Sequence, residues 1–146
     1  MSEIKVRRMK KEDARAIAGI DAAIKKVPSG LDYKRIVGEE VKKGADADAS
    51  FVAEINKKVV GYMISYITSG NFGADQCAWI AMFGVDPKHM GQGIGIRLAE
   101  EIFKHYKEKG IVKIYTSVRW DSTDILSFFK TLGFERSDFI NLRKIL

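Results

Sequence analysis

The chain's 146 residues include 25 Lys+Arg against 19 Asp+Glu, a formal charge of +6. That length suits one domain spanning residues 1–146, with a core large enough to need no staple. The 46% apolar and 30% charged content excludes a disordered chain. No apolar run approaches the roughly 20 residues that cross a bilayer, Met1 to Lys10 is too charged for a secretory leader, and the lone Cys77 makes no internal disulfide. No membrane partner is expected, and a cytoplasmic location is.

Ile4–Arg8 predicts a short strand, and Glu12-Asp13 opens a helix reaching about Ile24. Its apolar positions Ala16, Ile17, Ile20, Ala23 and Ile24 recur at three- and four-residue steps, the pattern of one buried face. Pro28-Ser29-Gly30 breaks the chain, and a second helix spans Asp32–Lys43, stopped by Gly44. After a polar loop over Asp46–Ser50, the β-rich runs Phe51–Ile55 and Val59–Ile67 flank Asn56-Lys57-Lys58, which predicts a hairpin. Ser69–Asp75 is a glycine-containing loop. Cys77–Val85 is a nearly continuous apolar strand, as expected where both sheet faces are covered. A helix follows over Ile94–Lys109 with Leu98, Ala99, Ile102, Phe103 and Tyr106 on one side, closed by Gly110. Ile111–Val118 predicts a strand, Thr123–Leu132 a helix, and Phe134 onward a terminal strand or hairpin. The alternation defines an α/β fold, and the central hairpin makes its sheet mixed.

Chemistry concentrates in Val85-Asp86-Pro87-Lys88-His89-Met90-Gly91-Gln92-Gly93-Ile94-Gly95-Ile96-Arg97. Three glycines at alternate positions leave a strand and enter a helix. Glycine allows a tight bend and close approach of a ligand, and the free amides of a helix's first turn converge on phosphate oxygens. Two familiar phosphate loops are excluded. No Gly-Lys-Ser/Thr is present, and the third glycine of a dinucleotide fingerprint would fall on Ile96 or Leu98. The net positive charge fits such a ligand, an anionic surface or plain solubility equally well. The basic stretches Lys5–Lys11 and Lys104–Lys113 carry no nucleic-acid signature, so nucleic acid is not the expected partner. Two histidines and one cysteine without ligand spacing make no metal site.

This motif resembles that of the GNAT superfamily of N-acetyltransferases, whose Arg/Gln-x-x-Gly-x-Gly/Ala signature falls on Met90-Gly91-Gln92-Gly93-Ile94-Gly95. The resemblance extends to the opening strand and helix, and to Ser117-Val118-Arg119 followed by Leu126–Phe134 with its Gly133-Phe134 turn. It implies a single-domain, mostly antiparallel twisted sheet flanked by helices, with a V-shaped splay between the fourth and fifth strands. It further implies acetyl-CoA as cofactor and transfer of its acetyl group to a primary amine by direct attack. The amine belongs to a small molecule, a protein N-terminus or a lysine, and a homodimer is a common assembly. Phe83, Gly84 and Val85 would pair with pantetheine, Gly91 through Ile96 would hold the pyrophosphate, and Ser122 stands where an Asn often touches the cofactor.

The sequence departs from the family at three positions. Met90 replaces a phosphate-binding Arg or Gln. Phe129 replaces the Tyr that protonates the leaving thiolate, and Ser117 stands where a Glu acts as base in the branch acetylating ribosomal-protein N-termini. General acid catalysis contributes about 10²–10⁴-fold, which a good leaving group can forgo. Tyr62, Tyr66, Tyr115 or Cys77 are alternatives from other strands. A non-catalytic acyl-CoA-binding domain is the rival reading. His89 is expected beside the phosphates and His105 in solvent. Trp120, Arg119, Asp121 and Asp124 cluster at a mouth where they either meet substrate or serve packing and helix capping.

Overall fold

The computed structural model describes residues 3–28, 30–43, 49–69 and 76–146. Strand β1 (Ile4–Arg8) leads through a 3₁₀ turn into helices α1 (Ala14–Lys25) and α2 (Tyr33–Lys42). Strands β2 (Ser50–Ile55), β3 (Lys58–Thr68) and β4 (Cys77–Val85) follow, then helix α3 (Ile94–Glu108), the short strand β5 (Ile114–Thr116) and helix α4 (Thr123–Thr131). The sheet runs β1-β2-β3-β4-β5 in space, antiparallel except for the parallel pair β4–β5. The expected mixed, mostly antiparallel sheet flanked by helices is therefore observed.

The β2–β3 hairpin turns on two residues, Asn56 and Lys57, both at positive φ (52° and 66°). That backbone matches the right-handed twist of the strands it joins, and Lys58 already belongs to β3 rather than to the turn. The other end of this region is held by charge. Arg7 on β1 donates two hydrogen bonds to Asp13 (2.8 and 2.9 Å) and one to Glu54 on β2 (3.0 Å). Burial alone would push the Asp13 carboxyl up, but the Arg7 guanidinium holds it below its ordinary range.

Each face of the sheet has its own core. Helix α3 packs Leu98, Ala99, Ile102 and Tyr106 against Val60, Met63, Ala78 and Ile80. The Tyr106 hydroxyl accepts from the amide of Ala49 (3.0 Å) and meets Ser65 Oγ (2.7 Å), so polar bonds pin this helix to β2 and β3. Gly61 lets α3 come close: a Cβ there would lie 2.8 Å from Ile94 Cγ2. Helices α1 and α2 cover the opposite face with Ile17, Ile20, Tyr33 and Val37 over Val52, Tyr62 and Ile64.

Several boundaries differ from expectation. Ser50 belongs to β2, because its Oγ accepts from the Ser65 amide and extends the ladder. The buried stripe of α1 is Ile17, Ile20 and Asp21, whereas Ala23 and Ile24 are exposed where the last turn overhangs the sheet. The strand expected over Ile111–Val118 contracts to Ile114–Thr116, the stretch in register with Ala78–Ile80. Ile111 is instead spent closing α3, its amide donating to Tyr106 (3.0 Å). No strand forms after Phe134, so the expected terminal strand or hairpin is absent from the described residues. The expected stop at Gly44 and the loop residues Ser29, 46–48 and 70–75 lie outside the described residues. No described helix is long and apolar enough to cross a membrane.

Candidate active site

The site begins where β4 ends. The Asp86 amide donates to Val60 (2.8 Å) and its carboxylate accepts from the Lys88 amide (3.0 Å), starting a 3₁₀ turn over Pro87–His89. Gly91 and Gly93 then take φ of 81° and 79°, left-handed values that glycine adopts without strain. Nothing lies within 4 Å of where a Cβ would stand on either residue. Gly93 caps α3 without a side-chain bond, and the first intrahelical acceptance is Arg97 N–H to Gly93 (3.1 Å). The amides of Gly91 through Ile96 therefore donate to no described group. They lie at the positively polarised N-terminus of α3, with Met90, Gln92 and Arg97 exposed around them.

Buried neighbours hold this turn in place. Ile94 sits under Gly61, while a Cβ on Gly95 would lie 2.8 Å from Phe128 and 3.0 Å from Phe83. Those two rings stack at 4.8 Å, so the third glycine's missing side chain makes room for the packing of α4, and its amide stays among the open donors. Ile96 points outward. His89 is half-buried, and its Nδ1 has no hydrogen-bond partner among the described residues.

Beside this turn the sheet opens. Strands β4 and β5 pair only over Ala78–Ile80, so Ala81 to Val85, including Phe83, Gly84 and Val85, have no strand on that edge among the described residues. This is the splay expected between the fourth and fifth strands. Gly84 is buried against Tyr62: a Cβ would stand 2.8 Å from Tyr62 Cε1 and 3.1 Å from Ile24 of α1. Below it lies a group of polar side chains on the α1–α2 face. The Tyr62 and Tyr33 hydroxyls are 3.4 Å apart, and both phenols are held well above their ordinary pKa, chiefly by burial. Asp21 adds its negative charge to both. It is itself buried, with Oδ1 3.3 Å from Lys25 and Oδ2 without a hydrogen-bond partner among the described residues.

The residues singled out from sequence divide clearly. Phe83 through Ile96 converge around the splay and the turn. Ser122 reaches the N-cap position of α4 but makes no side-chain cap bond. Phe129 is buried in an aromatic cluster with Phe128 (5.2 Å), Phe134 (5.1 Å) and Phe83 (6.3 Å), so this position is core. Tyr66, Trp79 and Tyr115 align across three strands, Trp79 stacking on Tyr115 at 5.3 Å. Ser117 is exposed and accepts a hydrogen bond from Asn141 (2.9 Å). Cys77 is a buried free thiol. Trp120 is 86% exposed. Arg119 and Asp121 engage each other (2.9 and 3.0 Å), which holds the Asp121 carboxyl below its ordinary range. His105 is half-buried against Tyr106 rather than solvated, because its helix position flanks the apolar stripe. Among the described residues no cluster of metal-ligating side chains occurs.

Asp21 and Tyr33 were not foreseen. The available signal was a carboxylate on the apolar stripe of α1, four residues after Ile17 and next to Ile20.

A mixed sheet that splays beside a glycine turn at a helix N-terminus defines an α/β protein with undonated amides next to an open strand edge. The family model described as the acetyltransferase (GNAT) family matches residues 22–134, and the chain belongs to that family. An aminoglycoside N-acetyltransferase solved in complex with CoA superposes with a TM-score of 0.83 at 17% identity, covering 99% of this chain and 96% of that one. A ribosomal-protein-alanine N-acetyltransferase from Brucella melitensis superposes at 0.74 with 15% identity, covering 97% and 99%. By sequence, the mycothiol acetyltransferase of Amycolatopsis mediterranei is 27% identical over 111 residues, covering 74% of this chain. An uncharacterized N-acetyltransferase of Methanocaldococcus jannaschii is 32% identical over 100 residues, covering 65%. The chain spans 37% and 42% of the length of these two relatives.

Proposed function

We propose that the chain is an acetyl-CoA-dependent N-acetyltransferase that acylates a primary amine. The observation carrying this reading is the set of undonated amides from Gly91 to Ile96, lying open beside the strandless edge of β4. The residues present fit the cofactor: two glycines with nothing over them make room for phosphate oxygens, and the helix N-terminus favours their charge. When bound, acetyl-CoA supplies an activated acetyl group.

The chain's own residues then have distinct tasks. Gly91 through Ile96 hold the pyrophosphate by backbone donors, with Gln92 and Arg97 able to add side-chain donors. Phe83, Gly84 and Val85 offer backbone groups along the splay to pantetheine. Met90 gives no side-chain donor, which leaves phosphate binding to the backbone. Ser122 stands near the same end. On the α1–α2 face, Asp21 Oδ2 takes the proton of the acceptor's ammonium, since a primary amine must be neutral to act as a nucleophile. Tyr33 and Tyr62 remain protonated at neutral pH and orient the amine by hydrogen bonds. Tyr66, Tyr115 and Ser117 line the rim beyond them. Phe129 carries no proton and acts through packing alone.

A cationic acceptor suits the Asp21 carboxylate, which in this structure is buried beside Lys25. The relatives named for aminoglycosides, mycothiol and ribosomal-protein alanine supply an acceptor panel of that kind. We take residues 1–146 as one acetyltransferase domain acting as a homodimer in the cytoplasm, where the free Cys77 thiol stays reduced. The test is release of CoA thiol from acetyl-CoA in the presence of spermidine, an aminoglycoside, a lysine peptide or an alanine-terminated peptide. Amine-dependent release is expected. Stabilisation by CoA without release for any acceptor would favour the non-catalytic rival instead.

A further inference from the structure

One primary amine of the chain already sits on the carboxylate assigned to acceptor amines. Lys25 is the last residue of α1, and its Nζ lies 3.3 Å from Asp21 Oδ1. The two partners differ in burial. The Asp21 side chain is 8% exposed and that of Lys25 51%, so the ammonium reaches a sunken carboxylate from the solvent side. Asp21 Oδ2 stays without a hydrogen-bond partner among the described residues. A buried carboxylate is costly unless its oxygens are engaged, and this lysine engages one of the two.

The place of this pair matters more than its energy, since a half-exposed i,i+4 ion pair contributes little to stability. Ile24, the neighbour of Lys25 in sequence, puts its Cδ1 3.1 Å from where a Cβ on Gly84 would stand. This end of α1 therefore rests on the splayed part of β4. The same Gly84 position is 2.8 Å from Tyr62 Cε1, and the Tyr62 hydroxyl is 3.4 Å from that of Tyr33. The charges of Asp21 and Lys25 both act on the Tyr33 phenol. Lys25 thus belongs to the side chains gathered beside the strand edge assigned to the acetyl donor. Lys43 provides a contrast. It pairs with Glu40 at 3.0 Å, but Glu40 accepts from Ser50 on β2, two strands away from β4.

We propose that Lys25 is an internal acceptor, acetylated on Nζ by the chain that carries it. This rests on the N-acetyltransferase reading and on Asp21 as its proton acceptor. One Nζ proton passes to Asp21, the freed lone pair forms an N–C bond to the acetyl carbonyl carbon, and the thioester C–S bond breaks. The departing sulfur takes the second proton that the nitrogen loses, and Asp21 returns its own to solvent. The products are acetylated Lys25, CoA thiol and one proton. Acetylation removes the charge of Lys25, and Asp21 is left without its resident ammonium. An amine tethered beside the donor has the advantage of a high effective concentration.

The experiment incubates the full chain with acetyl-CoA and no added amine, and reads acetylation at each lysine by peptide mass spectrometry. Lys25 is expected to gain an acetyl group at least about tenfold faster than Lys43, at a rate per chain independent of protein concentration. Acetic anhydride, which needs no bound cofactor, is expected to label the two lysines to similar extents. Equal rates with acetyl-CoA overturn the proposal. So does the same Lys25 preference with both reagents, or a rate that rises with protein concentration. A first equivalent of thiol released without amine is expected from the native chain and not from Lys25→Arg, which keeps the positive charge; release by both overturns the proposal. Calorimetric CoA binding and thiol release with external amines separate it from the proposed function. Binding and release with Lys25 unmodified overturn self-acetylation alone, whereas modified Lys25 with no external amine accepted upholds it and refutes the diffusible acceptor.

Discussion

The two sides of the β4 splay are made of different material. On the α3 side the chemistry is backbone: amides that the local sequence leaves undonated because two glycines turn the chain and no side chain caps the helix. On the α1–α2 side it is side chain: Asp21, Tyr33 and Tyr62 come from three separate elements and meet only because the helices fold over β3. A backbone site tolerates change in its neighbours, as Met90 illustrates. A side-chain site depends on each member, so single substitutions should separate the two.

The largest effect is expected at Asp21. Asp21→Asn keeps the shape but removes the carboxylate proposed to take the amine's proton, and on that proposal amine-dependent turnover should fall by about 10²–10⁴-fold. CoA affinity, measured by calorimetry on the same protein, should not change. A parallel loss of both would mean that the two sides are not separate. Next is Phe129→Tyr, which installs the family's phenol inside the aromatic cluster. An added hydroxyl with no partner there should lower unfolding stability by roughly 1–3 kcal/mol and leave turnover no higher. A gain in rate would show that this position reaches the reacting groups after all.

The smallest effect is a pH dependence remote from both sides. Asp13 is held below its ordinary pKa in the fold, so its contribution to stability is present above the unfolded-state value, near 4, and is lost as pH falls through the folded one. Urea unfolding of the native chain should therefore weaken on acidification below about pH 4. In Asp13→Asn that acid limb should be shallower, with CoA binding at neutral pH intact.

This contrast also explains what could be read from the chain alone. Strand β4 and helix α3 were legible to the residue or nearly so, because an apolar run, Asp86-Pro87 and three glycines are local signals. The undonated amides followed from the same few residues. Asp21 was illegible in role, since a lone acid on an apolar stripe acquires meaning only from Tyr33 and Tyr62 across the core. Strand β5 was overextended because Ile111 and Val112 have strand propensity but serve a helix end and solvent, respectively. The tail after Phe134 has a strand's alternation and forms no strand among the described residues.

In the function proposed, the backbone of the glycine turn holds acetyl-CoA. Calorimetric titration of CoA into the native chain and into Gly93→Val tests it directly. A β-branched residue at φ 79° strains or reshapes the turn and places methyl groups over the amides, at a cost of about 1–2 kcal/mol from backbone strain alone. Binding to the native chain is expected, with an affinity at least about tenfold weaker in the variant. No binding by the native chain, or equal binding by both, would contradict it.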